Sequence, residues 1–480
     1  MPDEKELEQI IREILVELKD KPTSISLGGS IQLGALPPGQ DGVFDSVDDA
    51  VNAARVAHEQ LRLCSLVKRK KIIVAIREQA RLYAKELAYM AYEETRFGDA
   101  EAKVQKNIVV ANKTPGPEII ESVAMSGDHG LTVIERAPYG VIGSITPSTN
   151  PTATIINNAI SILSGGNSVV FNAHPRAKKV SIRTIQLINQ AIRAVSGPAN
   201  LLTVTAEPTV EGAQYLMSHP GVDLLLVTGG PAVVKVAMQS GKRAICAGPG
   251  NPPYVVDESA DIEKAGSDIV KGASFDNNLP CTDEKEIFVV ESVADALKTV
   301  MCRSGAYELK GEQINQLEQL IIKEPGKPWE HAAVNLAMVG QPAEFILQRA
   351  GLNVGKGIKL ILIEVGPEHP LVWTEQMMPV LPIVRVRNFD EAVELAVKAE
   401  QGNHHSAGIH SLDLRHLSHM AKVMNTSVFV KNGPSYSGLG FEGEGFTSFS
   451  VGTFTREGLT TARSFTWERR CVLVDHFRIV

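Results

Sequence analysis

Cys281 lies in SFDNNLPCTDEKEIFVV, after Pro280 and the polar pair Asn277-Asn278, and just ahead of a β-prone run. A thiolate there can add to a carbonyl carbon and hold an acyl group. An ordinary core cysteine sits inside an apolar run, as Cys64, Cys302 and Cys471 read. On the residues alone, nucleophile and structural thiol both stay open for Cys281. Thr228-Gly229-Gly230-Pro231 follows a buried run, LLLV, and opens a helical one. Such a turn lets an anion approach a helix N-terminus, where free N–H groups and the dipole favour it, though glycine also serves plain βα turns. SITPSTNPT (144–152) is a second strand-to-helix turn, dense in hydroxyls and an amide, and suited equally to helix capping. Gly438-Leu439-Gly440-Phe441-Glu442-Gly443 matches G-x-G-x-x-G, but EGFTSFSVGTF after it is β-prone, so it reads as a glycine-rich surface loop.

The elements around these turns alternate. From Val43 to about Gly98 the pattern is helical, with Asp45 or Ser46 as first cap. Strand-like runs follow at Val141–Ile145, Ser168–Phe171, Leu201–Val204, Asp223–Val227 and Tyr254–Val256, with helical stretches at Lys178–Ala194, Val210–Ser218 and Ala232–Gln239. Runs such as LLLV and SVVF lack polar alternation, as strands buried on both faces of a parallel sheet do. A second series has strands at Glu286–Val290, Lys359–Val365, Pro382–Val386, Ala407–His410 and Ser427–Val430, and helices at Ala294–Ser304, Glu312–Ile322 and Asp390–Glu400. This is an α/β chain with two such domains in tandem. Leu131–Ala137 and the tail Ser464–Val480 read as projecting strands suited to oligomer contacts.

The N-terminus is a separate piece. Leu7, Ile10, Ile11, Ile14, Leu15 and Leu18 form one apolar stripe of a helix over residues 1–20, whose other face carries seven acids and three bases. Residues 21–42, KPTSISLGGSIQLGALPPGQDG, read as a flexible linker. An amphipathic helix on a tether fits a partner's groove, and packing back on its own domain is the alternative.

Composition closes several classes. The chain has 480 residues and a formal net charge of −7, with no basic surplus or basic tail for nucleic acid. Five scattered cysteines make no disulfide framework, and no C-x-x-C pair suggests a metal site. There is no signal peptide and no apolar run near the ~20 residues of a membrane span, so a cytosolic protein is expected.

The stretches APYGVIGSITPSTNPTATIINN, GGNSVVFNAHPRAKK, VTGGPAVV, AGPGNPPYVVDESAD, ASFDNNLPCTDEK, TEQMMPVLPIV, GNHHSAGIHS, FVKNGPSY and TREGLTTARSFTWERRCVL occur in consistent order from about residue 43 to the C-terminus. Together they resemble the aldehyde dehydrogenase superfamily, and within it the CoA-acylating propionaldehyde and acetaldehyde dehydrogenases of bacterial microcompartments.

The resemblance implies an NAD-binding Rossmann-type domain (43–252) with a projecting hairpin near 119–138. It further implies an α/β catalytic domain (253–430), and a return segment and oligomerisation tail (431–480) of a dimer or tetramer. Cys281 falls where the family has its nucleophile, and Asn150 on the side-chain donor to the tetrahedral oxygen, beside Thr149. Glu375 aligns with the glutamate on the nicotinamide ribose. Thr228, Gly229 and Gly230 face the pyrophosphate, and Asn172, His174 and Pro175 take the place of a ribose-contacting lysine and glutamate. No metal is implied.

Hydrolytic relatives read roughly E-L-G-G-K where this chain reads Cys246-Ala247-Gly248-Pro249-Gly250-Asn251-Pro252, without a carboxylate to activate water. A thiol, with a pKa near 8.5, needs less activation. The expected reaction is NAD-dependent oxidation of propanal or acetaldehyde, with coenzyme A collecting the acyl group. The rivals are a hydrolytic dehydrogenase and a catalytically silent cargo protein. Residues 1–20 resemble the peptide that docks these enzymes to shell or cargo proteins, which implies a place in the bacterial cytoplasm inside a microcompartment. His404 and His405 match the family as structural imidazoles or a proton shuttle. Cys246 is a small buried residue or a disulfide partner of Cys281; the latter needs Cα atoms within ~7 Å.

Overall fold

VIGSI and SVVFN, the two runs with least polar alternation, become neighbouring strands buried at every residue. The computed structural model describes residues 41–480. The expected helix over 1–20 and all but the last two residues of the 21–42 linker lie outside the described residues.

Described elements begin with β1 (Val43–Phe44), then helices α1 (Val47–Arg62), α2 (Leu66–Leu82), α3 (Ala84–Thr95) and α4 (Ala100–Lys113), and a hairpin, β2 (Val123–Gly127) and β3 (Gly130–Pro138). Next come β4 (Val141–Ile145), α5 (Pro151–Ser164), β5 (Ser168–Asn172), α6 (Lys178–Ala194), β6 (Leu202–Thr205), α7 (Val210–Ser218), β7 (Leu224–Thr228), α8 (Pro231–Gln239) and β8 (Ala244–Ala247). Strands 1 and 4–8 form one parallel sheet in the order β1-β6-β5-β4-β7-β8.

Successive strand residues point to opposite faces, so a sheet covered on both sides needs apolar residues at every position. Ile142, Val169, Phe171 and Leu226 enter a core with α2, α5 and α6. Val141, Val170, Leu225, Val227 and Cys246 enter another, with α1, α7 and α8. Helix α5 runs through the first core with all fourteen residues buried, which is why its apolar residues show no stripe.

A second parallel sheet follows from β9 (Pro253–Val256) to β17. Its strands are β10 (Glu286–Val290), β11 (Ala306–Leu309), β14 (Leu360–Glu364), β15 (Val380–Val386), β16 (Ser406–His410) and β17 (Val428–Lys431), in the order β11-β14-β15-β10-β9-β16-β17. The short ribbon β12 (Ile322–Glu324) and β13 (Ala333–Val334) stands apart from it. Helices α9 (Ile262–Ser274), α10 (Glu291–Arg303), α11 (Glu312–Ile321), α12 (Ala343–Arg349), α13 (Phe389–Ala399) and α14 (Leu414–Met424) accompany this half of the chain. The chain then returns to the first sheet through β18 (Val451–Gly452) and β19 (Gly458–Leu459). It ends in β20 (Thr466–Val474), which pairs antiparallel with β3 over nine residues, giving a three-stranded sheet of largely exposed residues. Pro38–Val480 form one compact unit.

The expected fold class holds as far as α/β with two parallel sheets. At the start of the helical run, Val43–Phe44 is instead a strand, paired with β6. The first helix begins at Val47 behind Ser46, whose Oγ accepts the Asp49 N–H at 3.1 Å. Strand β8, helices α9 and α14, and strand β11 are additions to the expected series.

Candidate active site

Strand β4 lies between β5 and β7, so the chain leaves β4 toward one side of the sheet and later returns on the other. The loops at the carboxyl ends of such strands diverge and leave a crevice. A cavity of about 580 Å³ occupies it, reaching to residues that precede β10, β15 and β16. All ten residues expected to react or to hold the dinucleotide line this one cavity: Cys281 and Asn150, then Thr149, Asn172, His174 and Pro175, then Thr228, Gly229, Gly230 and Glu375.

Cys281 is set by an unusual turn. Asp276, Asn277 and Asn278 all adopt positive φ, of 47°, 56° and 60°. Three successive left-handed residues cost free energy, least for Asn and Asp. Each is held by side-chain bonds. Asn277 Nδ2 donates to the Gly98 and Gly340 carbonyls at 3.0 and 2.9 Å. Asn278 Nδ2 donates to those of Ala273 and Glu284 at 2.8 and 3.0 Å. The Lys285 ammonium, fully buried, donates to Asn278 O (2.9 Å), Asn278 Oδ1 (2.6 Å) and Pro280 O (3.0 Å), clamping the segment that ends at the cysteine. Among the described residues, the Cys281 N–H donates to no protein acceptor.

Burial pushes the Cys281 thiol up to about 12; the Glu375 carboxylate pushes the same way, and Lys285 pulls it back. Burial also raises Glu375 to about 7 and lowers His405 to about 4, leaving that imidazole neutral. Glu375 is the one carboxylate among the cavity-lining residues, and no acid stands on the Ala247–Pro249 wall. Space there is tight: a Cβ on Gly248 would meet the Phe454 ring at 2.3 Å, and one on Gly250 the Cys281 carbonyl oxygen at 2.7 Å.

Gly230 is the N-cap of α8 and brings no capping side chain. A Cβ there would meet nothing within 4 Å, so the helix N-terminus opens on free space. That cradle fits an anion such as a pyrophosphate, and His174 and Pro175 line the same cavity.

Cys246 does not line the cavity. It packs in the core with Val227, Val234 and Ala237, and both it and Cys281 are free thiols. His405 lines the cavity, with Nδ1 2.8 Å from Ser406 Oγ, whereas half-buried His404 lies outside it and bonds to the Asn425 carbonyl and to Arg456. The Gly438 segment forms a short 3-10 turn with no helix after it, and only its Leu439 reaches the cavity. Sequence reasoning missed Lys285, Lys103, Lys106 and Asp276. The available signal was Lys103 and Lys106 at i, i+3 on what becomes a buried helix face. Among the described residues no cluster of three or more His, Cys, Asp or Glu is placed to hold a metal ion. None of their helices is long and apolar enough to cross a membrane.

The model of the aldehyde dehydrogenase family matches residues 40–459. The chain is 48% identical, over the full length of both proteins, to acetaldehyde dehydrogenase (acetylating) EutE of Escherichia coli strain K12. It is similar to the crystal structure of Rhodopseudomonas palustris propionaldehyde dehydrogenase with bound CoA and an acylated cysteine, at TM-score 0.88 and 47% identity, covering 91% of this chain and 98% of that one. It is equally similar to a propionaldehyde dehydrogenase from the Clostridium phytofermentans fucose utilisation bacterial microcompartment, at TM-score 0.89 and 46% identity, covering 92% of this chain and 100% of that one.

Proposed function

The chain belongs to the aldehyde dehydrogenase family, and from that premise we propose how its own residues carry out the family's chemistry. The enzyme is a CoA-acylating oxidoreductase: it oxidises acetaldehyde or propanal with NAD and releases the acyl-CoA. Cys281 Sγ adds to the aldehyde carbon as its proton leaves. Asn150 Nδ2 and the Cys281 N–H donate to the oxygen that becomes negative; one such donor is typically worth ~3–4 kcal/mol. NAD, when bound, supplies the hydride acceptor. Thr228, Gly229 and Gly230 hold its pyrophosphate, and Asn172, His174, Pro175 and Glu375 its riboses. Loss of hydride leaves a thioester on Cys281. The CoA thiol then attacks the thioester carbon, the C–S bond to Cys281 breaks, and the cysteine regains a proton.

The observation that carries this reading is the single cavity. It joins a clamped cysteine, an amide without a protein acceptor and an open helix N-terminus, with Glu375 as the one carboxylate lining it, its ionisation held back by burial. Aldehyde and NAD without CoA should yield about one NADH per chain and then stop, and CoA should restart turnover. Sustained NADH release without CoA would assign Glu375 to water activation and overturn the acyl-CoA product. Cys281→Ala should abolish both phases.

The relative of known structure from a microcompartment supports the same compartment for this enzyme, with residues 1–20 docking to shell or cargo proteins and β2, β3 and β20 joining subunits. Deleting residues 1–20 should leave turnover intact and end co-sedimentation with shells. A deletion that unfolds the enzyme would make the helix structural.

A further inference from the structure

Asn150 occupies the N-cap of α5, a position where asparagine normally accepts a backbone N–H of the first turn. Here its side chain makes no capping bond, although Thr152 and Ala153 both carry the N–H groups such a cap would accept from. The amide is engaged elsewhere. Its Oδ1 accepts from Lys106 Nζ at 2.7 Å. An ammonium has donors and no acceptor, so it selects the amide oxygen and turns Nδ2 the other way. Nδ2 donates to no protein group among the described residues.

Lys106 is 1% exposed. It is anchored by an ion pair to Asp276, also fully buried. Asp276 takes a second ammonium, Lys103, at 3.0 Å, and the Asp99 N–H at 2.6 Å. Lys103 Nζ also donates to the Thr149 carbonyl at 3.2 Å. Lys103 and Lys106 of α4 therefore both hold the loop that carries Asn150. Their common carboxylate belongs to the left-handed turn that leads to Cys281. One buried network ties the amide-bearing loop to the nucleophile-bearing loop.

We propose that Lys106, anchored on Asp276, is a positioning residue: it locks the Asn150 amide with Nδ2 facing the oxygen that becomes negative on the aldehyde carbon. The proposal rests on the reading of Asn150 as that donor. Without Lys106 the amide is free to flip, and the flipped form presents an oxygen where a donor is required. The effect belongs to the chemical step and leaves dinucleotide binding alone.

The test is a double-mutant cycle of Lys106→Met and Asn150→Ala, read as kcat for NADH formation with CoA present, the KM for NAD, and a thermal melt. Lys106→Met leaves Lys103 and Asp276 as a one-to-one pair, so a cooperative melt is expected. Asn150→Ala should lower kcat about 100- to 1,000-fold. Lys106→Met should lower it about 10- to 100-fold, less than loss of the donor itself, with the KM for NAD nearly unchanged. Added to Asn150→Ala, it should cost no more than about a further twofold, since both changes remove one function. Lys106→Gln keeps a donor without the charge and should return kcat to within about tenfold of the parent; it carries the test alone should the methionine variant fail to melt cooperatively. If Asn150→Ala is active, the reading of Asn150 fails and the proposal with it. If Asn150→Ala is impaired while Lys106→Met is not, if the two losses multiply, or if Lys106→Gln is as slow as Asn150→Ala, the positioning role is refuted and the reading of Asn150 stands.

Discussion

Replacing Lys285 by methionine should cost the fold about 4 kcal/mol. Methionine matches the lysine stem in volume but donates nothing. Asn278 O, Asn278 Oδ1 and Pro280 O would lose their common donor inside a site from which water is excluded. A buried acceptor without a donor costs ~1–3 kcal/mol, and removing one member of a buried charged network ~3–5 kcal/mol. Burial raises the neighbouring Asp283 and Glu286 well above the usual carboxylate range, and Lys285 draws both back down. Reactivity should fall in parallel, since Lys285 draws the Cys281 thiol down. Its loss lets the thiol pKa rise, each unit of rise being about a tenfold drop in thiolate, so alkylation of Cys281 by iodoacetamide at pH 8 should slow. Urea unfolding followed by circular dichroism gives the first quantity, and mass spectrometry of the labelled peptide the second. A variant within about 1 kcal/mol of the parent that is alkylated at the parent rate would refute the idea that this ammonium holds and charges the nucleophile loop.

Gly250→Ala adds one methyl group 2.7 Å from both the Cys281 carbonyl oxygen and the His405 ring. Steady-state assays should show at least a tenfold lower kcat, roughly what a small misplacement of the nucleophile costs, and unfolding should show a loss of ~1–3 kcal/mol. His410, its Nε2 buried without a partner, is pushed down to about 4 by burial. Its folded pKa lies below the unfolded value near 6.5, so its contribution is complete above pH 6.5 and drains away as pH falls toward 4. Relative to the parent, His410→Leu should gain about 2 kcal/mol between pH 8 and pH 5 by urea unfolding; an unchanged difference would show that His410 is already protonated in the fold. Deleting residues 466–480 should unmask the edge of β3 and dissociate the oligomer in sedimentation, whereas an unchanged sedimentation coefficient would place the subunit contact elsewhere.

Most strands were legible because burial on both faces writes an unbroken apolar run. Val141–Ile145 and Glu286–Val290 match their expected bounds, as do the helices Lys178–Ala194 and Val210–Ser218. Strand β8 escaped because AICA carries one β-branched residue in four. Helix α9 escaped because IEKAGSDIVKGAS holds two glycines, which press against Val300 and Glu284 in the fold. The Asn150 and Thr228-Gly229-Gly230 turns were legible because they sit at a helix start and a strand end, whereas Cys281 and Glu375 lie in loops and were placed by resemblance to the family's motifs. The cavity's supports were not legible, because they are non-local. Lys106 and Asp276 lie 170 positions apart, and the i, i+3 spacing of Lys103 and Lys106 puts the two on one helix face without saying that this face is buried. A buried ammonium cannot be told from a solvated one until its carboxylate arrives by tertiary packing.

Strand β20 closes on β3 across a wide gap in the chain: Arg136 and Thr466, which bond side chain to side chain, lie 330 positions apart. On the ribosome, the hairpin β2–β3 emerges early and waits with a naked edge until almost all of the remaining polypeptide has been made. Contacts of such long loop closure form late and slowly. Any assembly that uses this ribbon must wait until residues 466–474 have been made, by which point every wall of the catalytic cavity has already been synthesised.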